Sequence, residues 1–112
     1  MQGNKIKTQG VQSLAAALAD CARLHTLNFN YNDMDQLGAR ALAQALPRCT
    51  GLANLKLSYN DIGANGATAL AEMLGRCPAL VYLHVGHCNV QAPGLARLVQ
   101  AADACPGLLL DF

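Results

Sequence analysis

The residues of this chain best suited to bind a metal are His84, His87 and Cys88, which fall within five positions. Histidine and cysteine at short spacing are typical zinc ligands. In a strand, however, side chains alternate between the two faces, so His84 and Cys88 would point in opposite directions. No second Cys/His cluster supplies a fourth ligand, because His25 is distant in the sequence. The sequence therefore predicts no metal site.

Ser58 is the candidate nucleophile. His84 and His87 follow it by about 28 residues, which is the length of one sequence repeat in this chain, so a repeating fold could bring a histidine beside the serine. Nucleophilic catalysis of this type needs a third group that orients the histidine, and no carboxylate stands at an obvious position for either ring. The chain also has no G-x-x-x-x-G-K-[ST] loop to bind phosphate. We therefore predict that the protein is not an enzyme and has no cofactor.

Four of the five cysteines follow a period rather than a pairing pattern. Cys21, Cys49, Cys77 and Cys105 are each 28 residues apart. An odd count and strict spacing indicate reduced thiols at equivalent places in a repeat, where buried cysteine acts as a small hydrophobic residue. The N-terminal residues show no apolar run of signal-peptide type. We therefore expect a cytoplasmic protein with no disulfide bond.

Composition excludes two classes of partner. Of 112 residues, 53% are hydrophobic and 13% charged, and the formal net charge is +1. Nucleic-acid binding would need a basic stripe, which the sequence lacks. A membrane span would need about 18 uninterrupted apolar residues, and no stretch approaches this length. We expect the partner to be another protein.

A period of 28 residues runs the length of the chain. Several columns of identical residue type share this register, and a period of this length indicates a solenoid. We predict one domain over residues 1–112, with about three and a half repeats. The clearest columns are Gly10, Gly38, Gly66 and Gly94; Leu14, Leu42, Leu70 and Leu98; and Leu24, Leu52, Leu80 and Leu108.

Each repeat contains two hydrophobic patterns, which are the elements that must position the polar residues. Helical spacing predicts helices over residues 11–19, 38–46, 67–74 and 95–104. Period-two alternation predicts strands in which Leu27 and Phe29 point inward. Alternating strands and helices with short connections require a parallel sheet.

One polar column lies where the chain turns from strand to helix. Asn32 and Asn60 occupy this column, and Cys88 replaces them in the next repeat. An asparagine side chain both donates and accepts hydrogen bonds, so it can bond backbone groups that the turn leaves unpaired. We predict a structural turn ladder, in which Cys88 forms only weaker bonds.

The segment Leu55-Lys-Leu57-Ser-Tyr-Asn60-Asp-Ile62-Gly63-Ala-Asn-Gly66 carries a specific resemblance. It resembles the leucine-rich repeat of the ribonuclease-inhibitor-like subfamily, which includes the ribonuclease inhibitor, the Ran GTPase-activating protein and the repeats of NOD-like receptors. The resemblance covers nearly the whole chain. It implies an α/β fold, a right-handed β-α solenoid shaped as a horseshoe segment, with the parallel sheet concave and the helices convex.

The two ends depart from the repeat pattern. The first repeat has only its second half, beginning at Asn4, and Asp111 stands where the period places an inward leucine. Neither end has a polar capping unit, which solenoids normally need. We expect either that the chain is part of a longer array or that further repeats or a partner cover its ends.

In this architecture the outward strand positions form a continuous concave surface, and we predict that it binds a partner protein. Exposed tyrosine is a common interface anchor. One alternative is a structural spacer in a large intracellular or ciliary assembly, and another is a fragment of a GTPase-activating regulator. The predicted partner-binding residues are Thr26, Asn28, Asn30, Tyr31, Asn54, Lys56, Ser58, Tyr59, Tyr82, His84 and His87.

Overall fold

The structure, a computed structural model, describes residues 24–112. The predicted helix over residues 11–19, the turn position Asn4 and Cys21 lie outside the described residues. Four strands and three α-helices alternate along the described chain. The strands are β1 (Thr26–Asn28), β2 (Asn54–Lys56), β3 (Tyr82–His84) and β4 (Leu109–Asp111); the helices are α1 (Gln36–Ala45), extended by a 3-10 turn (Leu46–Arg48), α2 (Gly63–Leu74) and α3 (Gln91–Asp103).

The four strands form one sheet in the order of the sequence, and every neighbouring pair is parallel. Leu27 pairs with Leu55, and Leu55 with Leu83, so equivalent residues of successive repeats stand side by side. Each helix returns the chain to the start of the next strand and packs against the neighbouring helix. This arrangement confirms the predicted α/β solenoid with a parallel sheet.

The core lies between the sheet and the helices. Leu55 and Leu83 are fully buried on the inner side of β2 and β3, as the period-two pattern predicts. Leu42 and Leu70 meet them from the helices and are also fully buried. Phe29 and Met34 fill the same interior at the end of the first described repeat. The predicted core columns are therefore confirmed for the part of the chain that the structure describes.

The glycine column has a packing reason. A Cβ atom on Gly94 would lie 2.9 Å from the Cα of Ala64 and 3.0 Å from the Cβ of Ala67. A Cβ on Gly66 would come within 3.1 Å of the Cβ of Ala39 and would clash with Ile62. Glycine is needed at these positions because neighbouring helices approach too closely for a side chain.

The helices begin two to four residues earlier than the hydrophobic pattern indicates. In α1 the Asp35 carboxylate accepts hydrogen bonds from the amides of Leu37 (3.0 Å) and Gly38 (3.2 Å), which fixes the first turn before the glycine. In α3 the extension places Pro93 within the first turn, where its missing N–H costs nothing. The apolar pattern missed these turns because most of their residues are polar or small, and because Leu37 in α1 is exposed and does not continue the buried face. No described helix is long and apolar enough to cross a membrane.

The last strand corrects one expectation. The 28-residue period would pair Asp111 with Leu83, but the sheet pairs Leu110 with Leu83 and Asp111 with His84. Leu110 therefore takes the inward position, and Asp111 points outward with 58% of its side chain exposed. A one-residue change of register turns every side chain to the other face. The register change stabilises the fold here, because burying the Asp111 carboxylate without a partner would cost free energy.

Candidate functional site

The outward side of the sheet carries the predicted partner-binding residues in rows that run across the strands. We call this surface, with the turn residues that follow each strand, the sheet face. Thr26, Asn54 and Tyr82 form one row, and Asn28, Lys56 and His84 form the next. These six side chains are exposed or partly exposed. The structure therefore brings residues from three repeats into one continuous surface.

Three aromatic rings stack at the end of the strands, and we call them the ring column. The ring centroids of Tyr31 and Tyr59 are 4.3 Å apart, and those of Tyr59 and His87 are 4.5 Å apart. The rings are nearly parallel, with interplanar angles of 10° and 15°. This spacing follows from the distance between neighbouring strands, about 4.8 Å. The stack holds each ring in one orientation while about 45% of each tyrosine stays exposed.

The backbone of the ring column is left-handed. Tyr31, Tyr59 and His87 have φ values of 62°, 63° and 55°, a region that residues other than glycine rarely occupy. Such conformations persist only where the surrounding structure determines them. Here the amides of Tyr31 and Tyr59 each donate a hydrogen bond to the next repeat, to Ser58 O (3.1 Å) and Gly86 O (2.9 Å).

The Tyr59 side chain affects the ionisation of Tyr31. Partial desolvation, a side-chain hydrogen bond with Tyr59 and the nearby Tyr59 charge raise the pKa of Tyr31 above its ordinary value. Tyr31 is therefore uncharged at neutral pH and retains its phenolic O–H. Tyr31 therefore offers a partner an aromatic surface and a hydroxyl group rather than a charge.

A second aromatic cluster lies on β3 and β4. The Tyr82 and His84 rings stack at 4.0 Å with an interplanar angle of 6°. His84 Nδ1 lies 3.3 Å from Asp111 Oδ2 across the strand pair. Sequence reasoning missed Asp111 because the strict period placed it in the core. The residue type itself could have indicated the error, because an aspartate is a poor core residue at a position that other repeats fill with leucine.

The Asp111 contact corrects the argument about catalysis without creating a catalytic arrangement. The expectation that no carboxylate orients either histidine was wrong for His84. Ser58, however, bonds through its backbone amide to Asn30 Oδ1 at 2.7 Å. Among the described residues, no hydrogen bond joins the Ser58 hydroxyl to His84 or His87. The three groups of a nucleophilic site are therefore not aligned.

The asparagines of the sheet face also support the turns. Asn28 Oδ1 accepts from the amide of Asn30 at 3.0 Å, and Asn30 Oδ1 accepts from Ser58 across the strand pair. Asn54 differs, because its Oδ1 is buried and has no hydrogen-bond partner. Asn28 and Asn30 are therefore partly occupied by the fold, whereas Asn54 keeps an unused acceptor.

Below the surface lies the turn ladder. Asn60 Oδ1 accepts from the amides of Asn32 (3.0 Å) and Met34 (2.9 Å), and its Nδ2 donates to the carbonyls of Phe29 (2.9 Å) and Leu57 (2.8 Å). Asn32 Nδ2 donates to Asn30 O at 3.1 Å. These bonds join the turns of two repeats, so both asparagines serve the fold rather than a partner.

Cys88 continues the ladder as a thiol. Its Sγ donates to Leu57 O at 3.0 Å and to Gly86 O at 3.6 Å. Burial raises the pKa of this thiol to about 11, against the opposing backbone N–H groups of Asn60 and Tyr59, so it stays protonated at neutral pH. A thiol is a weaker hydrogen-bonding group than an amide. This turn is therefore held by fewer strong bonds than the turn at Asn60.

The three residues considered for a metal take separate places. His84 contacts Asp111, His87 stacks on Tyr59, and Cys88 is buried below the turn. Within residues 24–112, no group of three His, Cys, Asp or Glu side chains could hold a metal ion. Cys77, Cys88 and Cys105 form no disulfide bond in this structure.

The repeats were also compared with known proteins. A family model described as Leucine Rich repeat matches residues 21–43, 50–71 and 76–99. Together the matches cover more than half of the chain, and each contains one strand and the beginning of the following helix. No curated protein matches the chain.

Proposed function

We propose a function from the premise that this chain belongs to the leucine-rich repeat family. Leucine-rich repeats are generally non-enzymatic modules that bind other proteins. We propose that this chain follows that rule and that it binds its partner through the sheet face. Within the family, the resemblance of the segment that begins at Leu55 favours the ribonuclease-inhibitor-like subfamily, in which this face would be concave.

The ring column is the observation that carries this proposal. Tyrosine is enriched among the residues that contribute most to binding energy, because it offers a large contact area with few rotatable bonds. Tyr31 and Tyr59 are already immobilised by stacking, so binding would cost little additional side-chain entropy. Lys56 and the Tyr82–His84 stack lie on the adjacent strands and supply polar contacts around this anchor.

We also propose where in the cell this protein lies and that it belongs to a longer array of repeats. We propose an intracellular location, because thiols outside disulfide bonds, such as those of Cys77 and Cys88, persist in a reducing compartment. We also propose that these repeats are a segment of a longer array. In that case the partner would contact neighbouring repeats as well as the residues described above.

The test compares two sheet-face substitutions with a helix-side control. A partner is first recovered with the unmodified chain, purified, and titrated against Tyr59→Ala, Tyr82→Ala and Arg97→Ala by calorimetry. Removal of a central anchor costs about 2 kcal/mol or more, which is roughly a 30-fold loss of affinity. We expect this loss for Tyr59→Ala, a smaller loss for Tyr82→Ala and no change for Arg97→Ala.

Circular dichroism must show that all three variants are folded. Loss of affinity confined to Arg97→Ala, or equal losses at all three positions, would contradict the assignment to the sheet face. Full affinity in every variant would instead favour the spacer function.

A further inference from the structure

The helix side of the molecule contains a polar groove between α1 and α2. Two adjoining cavities, of about 300 Å³ and 210 Å³, share Arg40, Ala69 and Glu72 in their walls. Ala43 and Ala69 leave the groove open because their side chains are too short to fill the space between the helices. The groove is separate from the sheet face, which lies across the core.

Arg40 is the central residue of this region. A third cavity of about 240 Å³ is lined by Leu37, Arg40, Ala41 and Gln44 of α1. Arg40 therefore borders all three cavities. Leu37, one turn before it, is a large hydrophobic side chain with 45% of its surface exposed. An exposed arginine beside an exposed leucine offers both a charged and an apolar contact.

The charges of the groove favour an anionic ligand. Within residues 24–112 the only contact between an acidic and a basic side chain joins Asp111 and His84, so no carboxylate in contact neutralises Arg40 or Arg76. Glu72 lines the same groove, but the two arginines leave its formal charge at +1. A guanidinium group without an internal partner can bind a carboxylate through two parallel hydrogen bonds.

We infer that this helix-side groove is a second docking surface, and that it takes an acidic peptide segment of a partner protein. A glutamate or aspartate of the segment pairs with Arg40, and an apolar neighbour packs on Leu37. The segment continues along the groove, where Gln36 and Gln44 can bond its backbone and Arg76 can pair with a second carboxylate. This surface does not depend on the function proposed for the sheet face.

The test uses a capped peptide, Ala-Leu-Glu-Ala-Glu-Leu-Ala, and a matched peptide in which both glutamates are glutamine. Each is titrated into the ¹⁵N-labelled chain and followed by amide chemical shifts. We expect saturable shifts in α1 and α2, and binding of the glutamine peptide at least about tenfold weaker, since charge-assisted bonds are roughly twice as strong as neutral ones.

Substitutions locate the site. Arg40→Ala should weaken binding of the acidic peptide about tenfold, and Arg40→Lys should weaken it less because lysine keeps the charge but loses the paired geometry. Glu72→Gln should strengthen binding by removing a repulsive charge. Arg97→Ala is the matched control, because Arg97 is an exposed arginine on α3 that lines none of the three cavities.

Three results would overturn the inference: no saturable shifts at millimolar peptide, equal binding of both peptides, or an equal loss in Arg97→Ala. Tyr59→Ala must leave peptide binding unchanged. Its effect on the sheet-face partner is measured separately, so the two surfaces can fail independently of one another.

Discussion

The buried side chain of Asn60 forms four hydrogen bonds of 3.0 Å or less with the backbone, and three of them reach the preceding repeat. Replacing it by alanine leaves two buried amides and two carbonyls without this partner. Each unsatisfied buried group costs about 1–3 kcal/mol. We expect Asn60→Ala to lower the free energy of unfolding by about 3 kcal/mol or more in urea denaturation.

Asn65→Ala provides the matched control for this prediction. Asn65 is an exposed asparagine within α2, where alanine is a better helix former, so its replacement should change stability by less than about 0.5 kcal/mol. Similar effects of the two substitutions would show that the turn ladder contributes little.

The buried thiols make stability depend on alkaline pH. Burial raises the pKa of Cys77, with a smaller contribution from the charge of Cys49, and burial likewise raises that of Cys88; both reach about 11, against an ordinary value of 9.0. Below pH 9 both thiols are protonated in the folded and unfolded chain, so this stabilisation is complete. Between pH 9 and 11 the unfolded chain loses protons first, and the free energy of unfolding falls.

The measurement is urea unfolding at pH 8 and pH 11. We expect the decline over this range to be smaller in the double variant Cys77→Ala/Cys88→Ala than in the unmodified chain. Identical declines would mean that other groups cause the alkaline loss.

At the scale of elements, the close contact between α2 and α3 depends on a residue without a side chain. A methyl group on Gly94 would come within 2.9 Å of the backbone of α2, so Gly94→Ala must push the two helices apart. Overpacking of this kind costs about 1–3 kcal/mol. We expect a lower thermal midpoint in calorimetry and a loss of stability within that range.

Gly75→Ala is the control, since a Cβ there has no atom within 4 Å and the backbone conformation is ordinary, with φ of −69°. Alanine at such a position leaves stability unchanged or raises it slightly. An equal loss in both variants would trace the effect to something other than helix contact.

The elements also show what the sequence could predict. Period-two alternation located the inward residues Leu27, Leu55 and Leu83 because burial on one side of a strand leaves a strong pattern. Helix starts were placed late because a cap such as Asp35 acts through its side chain and adds nothing to the apolar pattern. The sequence placed Tyr31, Tyr59 and His87 among the partner-binding residues, but it could not predict that their rings stack, since residue type does not specify the left-handed backbone found at these positions.

At the scale of the whole molecule, stability should vary along the stack, because each repeat gains its burial from its neighbours. β2 pairs on both sides, whereas β4 pairs only with β3 within the described chain. α3 buries two residues, Gly94 and Leu98, whereas α1 and α2 bury five each. We expect amide hydrogen exchange to be slowest in β2 and α2 and fastest in β4 and α3. Uniform protection across all repeats would instead indicate a single cooperative unit.

The shift of register at β4 has a consequence for how such surfaces diversify. Because Leu109 onwards is one residue out of step with the earlier repeats, the same local sequence presents a different set of side chains to the outside. Deleting one residue in a connecting segment can therefore turn the inward-facing side chains of a strand outward, and the outward-facing ones inward, without changing the sequence of the strand. In a stacked molecule such a change would expose a new set of side chains to partners, and in this chain the shifted register brings Asp111 beside His84.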